Sequence, residues 1–291
     1  MIAWAAGEGA AVALRALVYL DLLLLAGLLL CARRTAPGDA SAPVIAGLAG
    51  AGAILAIAQL TVTALTMTGG DTTVLDGPML HFIAFETSAG LSAIARFLCL
   101  AVLAALAART AHSRVPHTAL ALAALAALAW TGHAGASEGA AGTLHRTADI
   151  LHLTAASVWL GTLVLLFAAL ARSRIATGDL TAALRRFAVT GTVIVGTLIV
   201  TGAINLWAIA GIDSLPALAA SDYGRILGLK LLLFGGMLAF AGFNRWRLTP
   251  RLEGASRSAT GGLRASVTLE TLLALGVILA VALLGTLPPY G

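Results

Sequence analysis

The sequence predicts an all-α membrane protein, a polytopic bundle of about eight transmembrane helices. Of its 291 residues, 59% are hydrophobic and 11% are charged, whereas a soluble domain carries roughly 25% charged residues. Such a chain has too little polar surface to cover a soluble globule. Its apolar runs are rich in alanine and leucine and lack the polar–apolar alternation of a transmembrane β-barrel. We therefore expect helices that satisfy their own backbone in the lipid bilayer.

Eight apolar runs are long enough to cross a bilayer, which takes about 20 helical residues. They lie at 10–31, 44–68, 80–108, 116–133, 144–170, 186–211, 224–245 and 265–287. The first run is long and lacks a basic start, so we interpret it as a spanning helix rather than as a cleaved signal peptide.

The basic residues orient this bundle. Most of the 18 lysines and arginines fall in the loops after the odd-numbered runs: Arg33, Arg34, Arg109, Arg114, Arg172, Arg174, Arg185, Arg186, Arg245, Arg247, Arg251, Arg257 and Arg264. Loops rich in basic residues stay in the cytoplasm. Both termini are therefore expected outside, which is the periplasm in a Gram-negative cell. The net charge of +5 is explained by these loops, and binding of nucleic acid is not expected.

A weak internal repeat divides the chain. Three pairs of residues are 134 positions apart: Gly27 and Gly161, Gly90 and Gly224, Arg96 and Lys230. Each half holds an even number of spans, so the repeat is parallel rather than inverted. We expect one transmembrane domain made of two four-helix halves, 1–133 and 134–291. The interface between them is the expected place for a binding site.

The fifth run carries a polar stripe suited to a metal. His145, Asp149 and His152 follow an i, i+4, i+7 spacing, which places them within about 60° on one helix face. The carboxylate could ligate a metal or accept the spare ring N–H of an imidazole. The histidines are two turns apart, roughly 10 Å along the axis, whereas metal–imidazole bonds are about 2 Å long. We expect them to recruit ligands from other helices or to form two successive stations.

Further candidate ligands lie at the same predicted outer side. His133 ends the fourth run, His81 begins the third, and Met67 and Met79 flank the loop between the second and third runs. Imidazole and thioether ligands together favour copper, as Cu(I) or Cu(II), over hard cations. These residues, with the polar stripe of the fifth run, predict a copper site at the outer face.

Five charged residues inside or near the predicted spans are candidates for a pathway or for ion pairs: Glu86, Arg15, Arg96, Lys230 and Glu270. Charges within a bilayer pair with one another or face a wet cavity. The inner half of the fifth run is wholly apolar, so any path must lean on other helices.

The remaining histidines and the cysteines have simpler interpretations. His112 and His117 lie among the cytoplasmic arginines and are expected to be solvated. Cys31 and Cys99 are too few for a disulfide framework, and we expect small packing residues, with a soft Cu(I) exit ligand as the alternative. The sequence holds no Gly-x-Ser-x-Gly, P-loop or His-Glu-x-x-His motif, so an enzyme is not expected.

Several segments resemble the copper resistance protein D family. Four groups carry the resemblance: Gly132-His133-Ala134 with His145, Asp149-Ile150-Leu151-His152 and Trp159-Leu160-Gly161; Arg186-Phe187 with Thr201-Gly202; Tyr223-Gly224-Arg225 with Leu229-Lys230, Asn244-Arg245 and Pro250; and Ser266-Val267 with Glu270. The likeness is strongest over roughly 130–287 and weaker over the first 110 residues.

The resemblance implies a multi-pass bacterial inner-membrane protein that takes up or handles copper, often with a separate periplasmic copper-binding protein of the CopC type. It assigns His133, His145 and His152 to the metal, whereas His81 rests on topology alone. The leading hypothesis is a protein that accepts copper at its periplasmic face and imports it or hands it on. Because histidines on neighbouring helices also ligate haem iron, a redox protein with haem b is one alternative. A copper assembly factor that does not transport is the other.

Overall fold

The computed structural model describes residues 6–31, 40–109, 114–135, 137–171, 177–211, 214–253 and 257–289, and these are helical, without a strand. Eight principal helices are numbered in chain order: α1 (Ala6–Cys31), α2 (Ala42–Met67), α3 (Ser88–Arg109), α4 (Arg114–Ala126), α5 (Gly139–Ala171), α6 (Thr177–Ala210), α7 (Asp222–Phe243) and α8 (Arg257–Leu284). A 3₁₀ turn, Ala127–Trp130, extends α4, and a π-helical turn, Asn244–Leu248, extends α7 into Thr249–Glu253.

Seven of these helices are long and apolar enough to cross a membrane, and α4 with its 3₁₀ extension is a shorter apolar helix. The predicted polytopic helical membrane protein is therefore confirmed. The helix starts differ from the prediction, because α6 begins at Thr177 rather than 186 and α8 at Arg257 rather than 265. The polar residues of these first turns give no hydrophobic signal, so the apolar runs did not include them.

The third predicted run, 80–108, is not one helix, and that expectation was wrong. A short helix, Gly77–His81, continues as a π-helical turn, Phe82–Glu86. Thr87 is then extended, with φ −101° and ψ 145°, and α3 begins after it. A short helix, Leu215–Ala220, precedes α7 in a similar way.

Glycines allow these short helices to pack closely on α3 and α7. A Cβ atom at Gly90 would collide with the carbonyl oxygens of Ile83 and Ala84, and one at Gly224 would collide with the carbonyl oxygen of Leu218. Gly90 and Gly224 are one of the pairs 134 residues apart. They thus have the same role at the starts of two helices.

The helices pack as two rings that share one interface. In the first, α1 contacts α2, α2 contacts α3, α3 contacts α4, and α4 returns to α1. In the second, α5 contacts α6 and α8, α8 contacts α7, and the Thr249–Glu253 extension of α7 contacts α6. Between the rings, α1 packs on α5 and α8, and α4 packs on α5. The division of the chain at residue 133 stays a prediction.

α1 and α5 cross in direct backbone contact. A Cβ atom at Gly27 would collide with the carbonyl oxygen of Ser157, and one at Gly161 would collide with the backbone of Gly27. One turn further along α1, the buried Cys31 thiol donates to the carbonyl oxygen of Val158 at 3.2 Å. Small residues let membrane helices approach closely. The two repeat-related glycines therefore meet each other at the centre of the molecule.

Candidate metal site

His152 is held in one orientation by α6. Its Nδ1 lies 2.9 Å from the Oγ1 atom of Thr201, and that hydroxyl donates to the carbonyl oxygen of Thr197 at 2.6 Å. A hydroxyl has a single hydrogen to give, so Thr201 is left to accept from Nδ1–H. In that tautomer the lone pair lies on Nε2, as a neutral metal-binding imidazole requires.

His152 lines a cavity of about 340 Å³ enclosed by α1, α5, α6, α7 and α8. We call it the outer cavity, because His152 lies in the half of α5 predicted to face outward. Its lining is apolar apart from Tyr19, His152, Trp159 and Lys230. Small-ligand sites have this character, an apolar pocket with a few placed polar groups.

Opposite charges lie together at the outer cavity. Lys230 of α7 is close enough to interact electrostatically with both Asp149 and His152, and Asn205 of α6 donates to Asp149 Oδ1 at 3.4 Å. The carboxylate of Asp149 therefore offsets the ammonium of Lys230 beside the imidazole. Offsetting charges reduces the cost of ionisable groups at membrane depth.

The two arginines named as pathway candidates lie beside other partners. Arg96 of α3 is 1% exposed, and it donates to Gln59 Oε1 at 2.6 Å and to the carbonyl oxygen of Ser92 at 3.2 Å. Arg15 of α1 packs so closely on Gly285, just past the end of α8, that a side chain there would collide with its guanidinium. Arg96 therefore acts as a polar link between α3 and α2.

His145 has a separate partner from His152. It is 2% exposed, and its Nδ1 lies 3.0 Å from the Oγ atom of Ser137, in the loop before α5. The backbone of His133 belongs to a short helix, Gly132–Gly135, that packs against α5. The side chain of His133 lies outside the described residues.

The outer candidates of the first half lie on its surface. His81 Nδ1 is 3.7 Å from Glu86 Oε1, with 65% and 58% of the two side chains exposed. Met67 ends α2 and is exposed, and Met79 is half-buried. Glu86 was expected two turns inside a span, and this was wrong, because the chain breaks at Thr87 and leaves Glu86 on the short segment before α3.

The four-histidine copper site stays a prediction. In the part of the chain whose side chains are described, no three or more histidines, cysteines or carboxylates form a group able to hold a metal ion. His145, His152 and His81 each have a different partner. This geometry matches successive stations along α5 better than one closed site.

One of the two histidines expected to be solvated is buried. His117 is 6% exposed in the first turn of α4, because α4 begins at Arg114 and turns this residue into the bundle. His112 lies outside the described residues.

A second cavity, of about 330 Å³, lies on the other side of Trp159. We call it the inner cavity. Its polar lining includes Thr192 of α6, Asn244 and Arg245 after α7, and Glu270 of α8. Trp159 lines both cavities, so its indole ring lies between them. This arrangement agrees with the expectation that any inward path leans on helices other than α5.

Glu270 is the buried carboxylate of the inner cavity and is 1% exposed. Its Oε1 accepts a hydrogen bond from Trp159 Nε1 at 3.2 Å, and its Oε2 accepts one from Asn244 Nδ2 at 3.0 Å. Arg245 lines the same cavity, but its guanidinium donates to Thr192 Oγ1 at 3.0 Å. Among the described side chains, no cation forms an ion pair with Glu270.

Sequence reasoning did not single out Trp159, Thr201 or Asn244 as site residues. All three stand in segments that carry the family resemblance, which was the available signal. Their roles depend on which helices pack together, and a single sequence does not specify that.

Comparison with known proteins extends this picture to the whole chain. The profile of the family Copper resistance protein D matches residues 181–284, and that of Copper resistance protein D-like, N-terminal domain matches residues 1–143. Copper resistance protein D of Pseudomonas syringae pv. tomato is 31% identical over 96% of each chain. This chain belongs to the copper resistance protein D family.

Other relatives agree with this membership. Inner membrane protein YebZ of Escherichia coli (strain K12) is 31% identical over 56% of each chain. No solved structure matches. This member of the copper resistance protein D family is a multi-pass protein of the inner membrane, as predicted. The likeness is not confined to the second half, since the first half matches a family profile of its own.

Proposed function

We propose that this protein binds copper at its periplasmic face and moves it inward through its second half, without catalysing a reaction. One observation carries the proposal: His152, with Nδ1 held by Thr201, lines a cavity that a single indole, Trp159, divides from a second cavity. Membership in a family named for copper resistance supports copper as the cargo.

In this proposal the stripe on α5 is the entry route. His145 and His152 are two helical turns apart, roughly 10 Å, so copper passes from one imidazole to the next instead of being held by both. Imidazole binds copper in either oxidation state encountered in proteins. Asp149, between the two histidines, stabilises a cation on its way and offsets Lys230.

A periplasmic copper-binding protein of the CopC type is the proposed donor. The exposed thioether of Met67 and the exposed pair His81 and Glu86, with Met79 beside them, are the proposed first contacts. Thioether and imidazole ligands there suit the exchange of a soft Cu(I) ion between two proteins.

The experiment compares His152→Ala with His112→Ala, a histidine in a predicted cytoplasmic loop. We expect purified wild-type protein to bind copper, His152→Ala to lose that copper, and His112→Ala to keep it. Cells that produce His152→Ala should accumulate no more copper than cells without the protein. Equal copper content in both variants, in protein and in cells, would sink the proposal.

The same preparation tests the two alternatives. A Soret band that disappears in His152→Ala would indicate a haem b protein instead. Unchanged copper in cells that lack the protein, together with a fixed co-purifying partner, would indicate an assembly factor that does not transport.

A further inference from the structure

We propose that Glu270 is the centre of a second cation-binding site, in the inner cavity, which takes a Cu²⁺ ion through oxygen ligands. The inference rests on the proposed function for its place in the route, since it would receive copper that leaves His152. The binding itself is a separate property and is tested separately.

The first observation is an uncompensated charge. Glu270 lies within α8 and is 1% exposed, and both its oxygens accept hydrogen bonds from neutral N–H groups, those of Trp159 and Asn244. Neutral donors orient a carboxylate without cancelling its charge. A buried charge without a partner is costly, so a cation in the adjoining cavity would stabilise it.

The second observation is a pair of buried oxygens without partners beside this carboxylate. Asn244 Oδ1 and Ser266 Oγ have no hydrogen-bond partner, and the two residues are 9% and 4% exposed. Asn244 lines the inner cavity with Glu270, and Ser266 precedes Glu270 by one turn on the same face of α8. Buried polar atoms are nearly always satisfied, by protein, water or an ion. A bound cation would satisfy both oxygens.

The ligand chemistry selects the ion. The lining of the inner cavity provides carboxylate, amide and hydroxyl oxygens, with no imidazole, thiolate or thioether among them. Soft Cu(I) has little preference for such a set, whereas the affinity of oxygen and nitrogen sites for divalent first-row metals is highest for Cu²⁺. Arg245 is the other charged residue of this lining, and Thr192 holds its guanidinium.

Electron paramagnetic resonance of Cu²⁺ added to the purified full-length protein tests the site. Copper on His152 or on the other histidines shows coupling to imidazole nitrogen, whereas copper on Glu270 does not. We expect wild-type protein to show an additional signal without nitrogen coupling. Glu270→Gln should abolish that signal, and Asn244→Ala should weaken its affinity by about tenfold or more.

The matched control is Asp222→Asn, which removes a carboxylate from an exposed pair with Arg225 and should leave the signal unchanged. Retention of the oxygen-only signal at wild-type affinity in Glu270→Gln would overturn the site. If that variant does not fold, unchanged affinity in both Asn244→Ala and Ser266→Ala overturns it equally.

Failure of the site and failure of the proposed function give different results. Loss of the signal in Glu270→Gln, in a protein whose cells show no copper accumulation, supports the site and removes the transport proposal. Normal copper accumulation without any oxygen-only signal does the reverse.

Discussion

Arg96 and Lys230 are 134 residues apart in the chain, and they differ in their surroundings. Arg96 is fully buried and donates to Gln59 and to the backbone of Ser92. Lys230 is half-buried, lines the outer cavity and is balanced through space by Asp149. The cation of the first half ties helices together, whereas that of the second half faces an open volume.

The histidines differ between the halves in the same direction. His81 of the first half pairs with Glu86 on the surface, whereas His152 of the second half is oriented by Thr201 beside a cavity. Two similarly packed bundles can therefore have different roles, one as a support and the other as the route. The predictions below test this comparison, beginning with the contact that joins the halves.

The largest effect is expected where the halves meet. Gly27→Ala places a Cβ atom against the backbone of α5, and a backbone cannot move aside as a flexible side chain can. Overpacking of this kind costs about 1–3 kcal/mol or more. We expect a lower melting temperature and less monodisperse protein on size exclusion. Gly196→Ala in α6, where a Cβ meets nothing within 4 Å, is the control, and equal stability of the two variants would refute the close crossing.

Replacing the two equivalent cations should separate support from route. Arg96→Met leaves Gln59 without its donor and should destabilise the protein by about 1–3 kcal/mol. Lys230→Met should melt close to wild type but bind copper more tightly, by about tenfold, because a positive charge beside His152 is removed. A thermal melt and a copper titration of both variants measure this. Equal destabilisation by the two substitutions would contradict the contrast.

Removing the partner of His152 should weaken metal binding without unfolding the protein. Thr201→Val is close in shape but cannot accept from Nδ1–H, so the imidazole loses its fixed tautomer. Loss of such a supporting contact lowers metal affinity about 10-fold to 100-fold. Thr190→Val, which alters an exposed threonine of the same helix, should bind copper as wild type does. Unchanged affinity in Thr201→Val would mean that His152 is not the ligand.

The smallest effect is expected at the first station. Ser137→Ala removes the hydroxyl beside His145 Nδ1, and one neutral hydrogen bond contributes about 1 kcal/mol. We expect copper affinity at the nitrogen-coupled signal to fall by about fivefold, with His152 unaffected. Thr147→Ala on the exposed face of α5 is the control. A loss as large as that of His152→Ala would instead indicate one shared site.

The number and type of helices could be predicted from the sequence because apolar runs of spanning length have few alternatives. The polar stripe on α5 could be predicted because helical periodicity fixes which residues share a face. The break at Thr87 could not, since the surrounding residues are as apolar as a continuous span. Glu86 was misplaced for the same reason.

Contacts between helices were beyond prediction from one sequence. Thr201 is 49 residues from His152, and Asn244 is 26 residues from Glu270. Such pairs depend on how helices rotate against one another, which hydrophobicity does not specify. The repeat predicted that Gly27 and Gly161 are equivalent, but not that they touch.

α7 contributes to the walls of both cavities, and almost none of its residues are buried within the protein. The opposite face of this wall is therefore formed by acyl chains. A bilayer whose thickness does not match a helix makes that helix tilt or bend, at a modest cost per ångström of mismatch. Tilting α7 would change the volume on both sides of Trp159 at once. The rate of copper passage should thus depend on the chain length of the surrounding lipid, so that membranes of different thickness set different rates for the same protein.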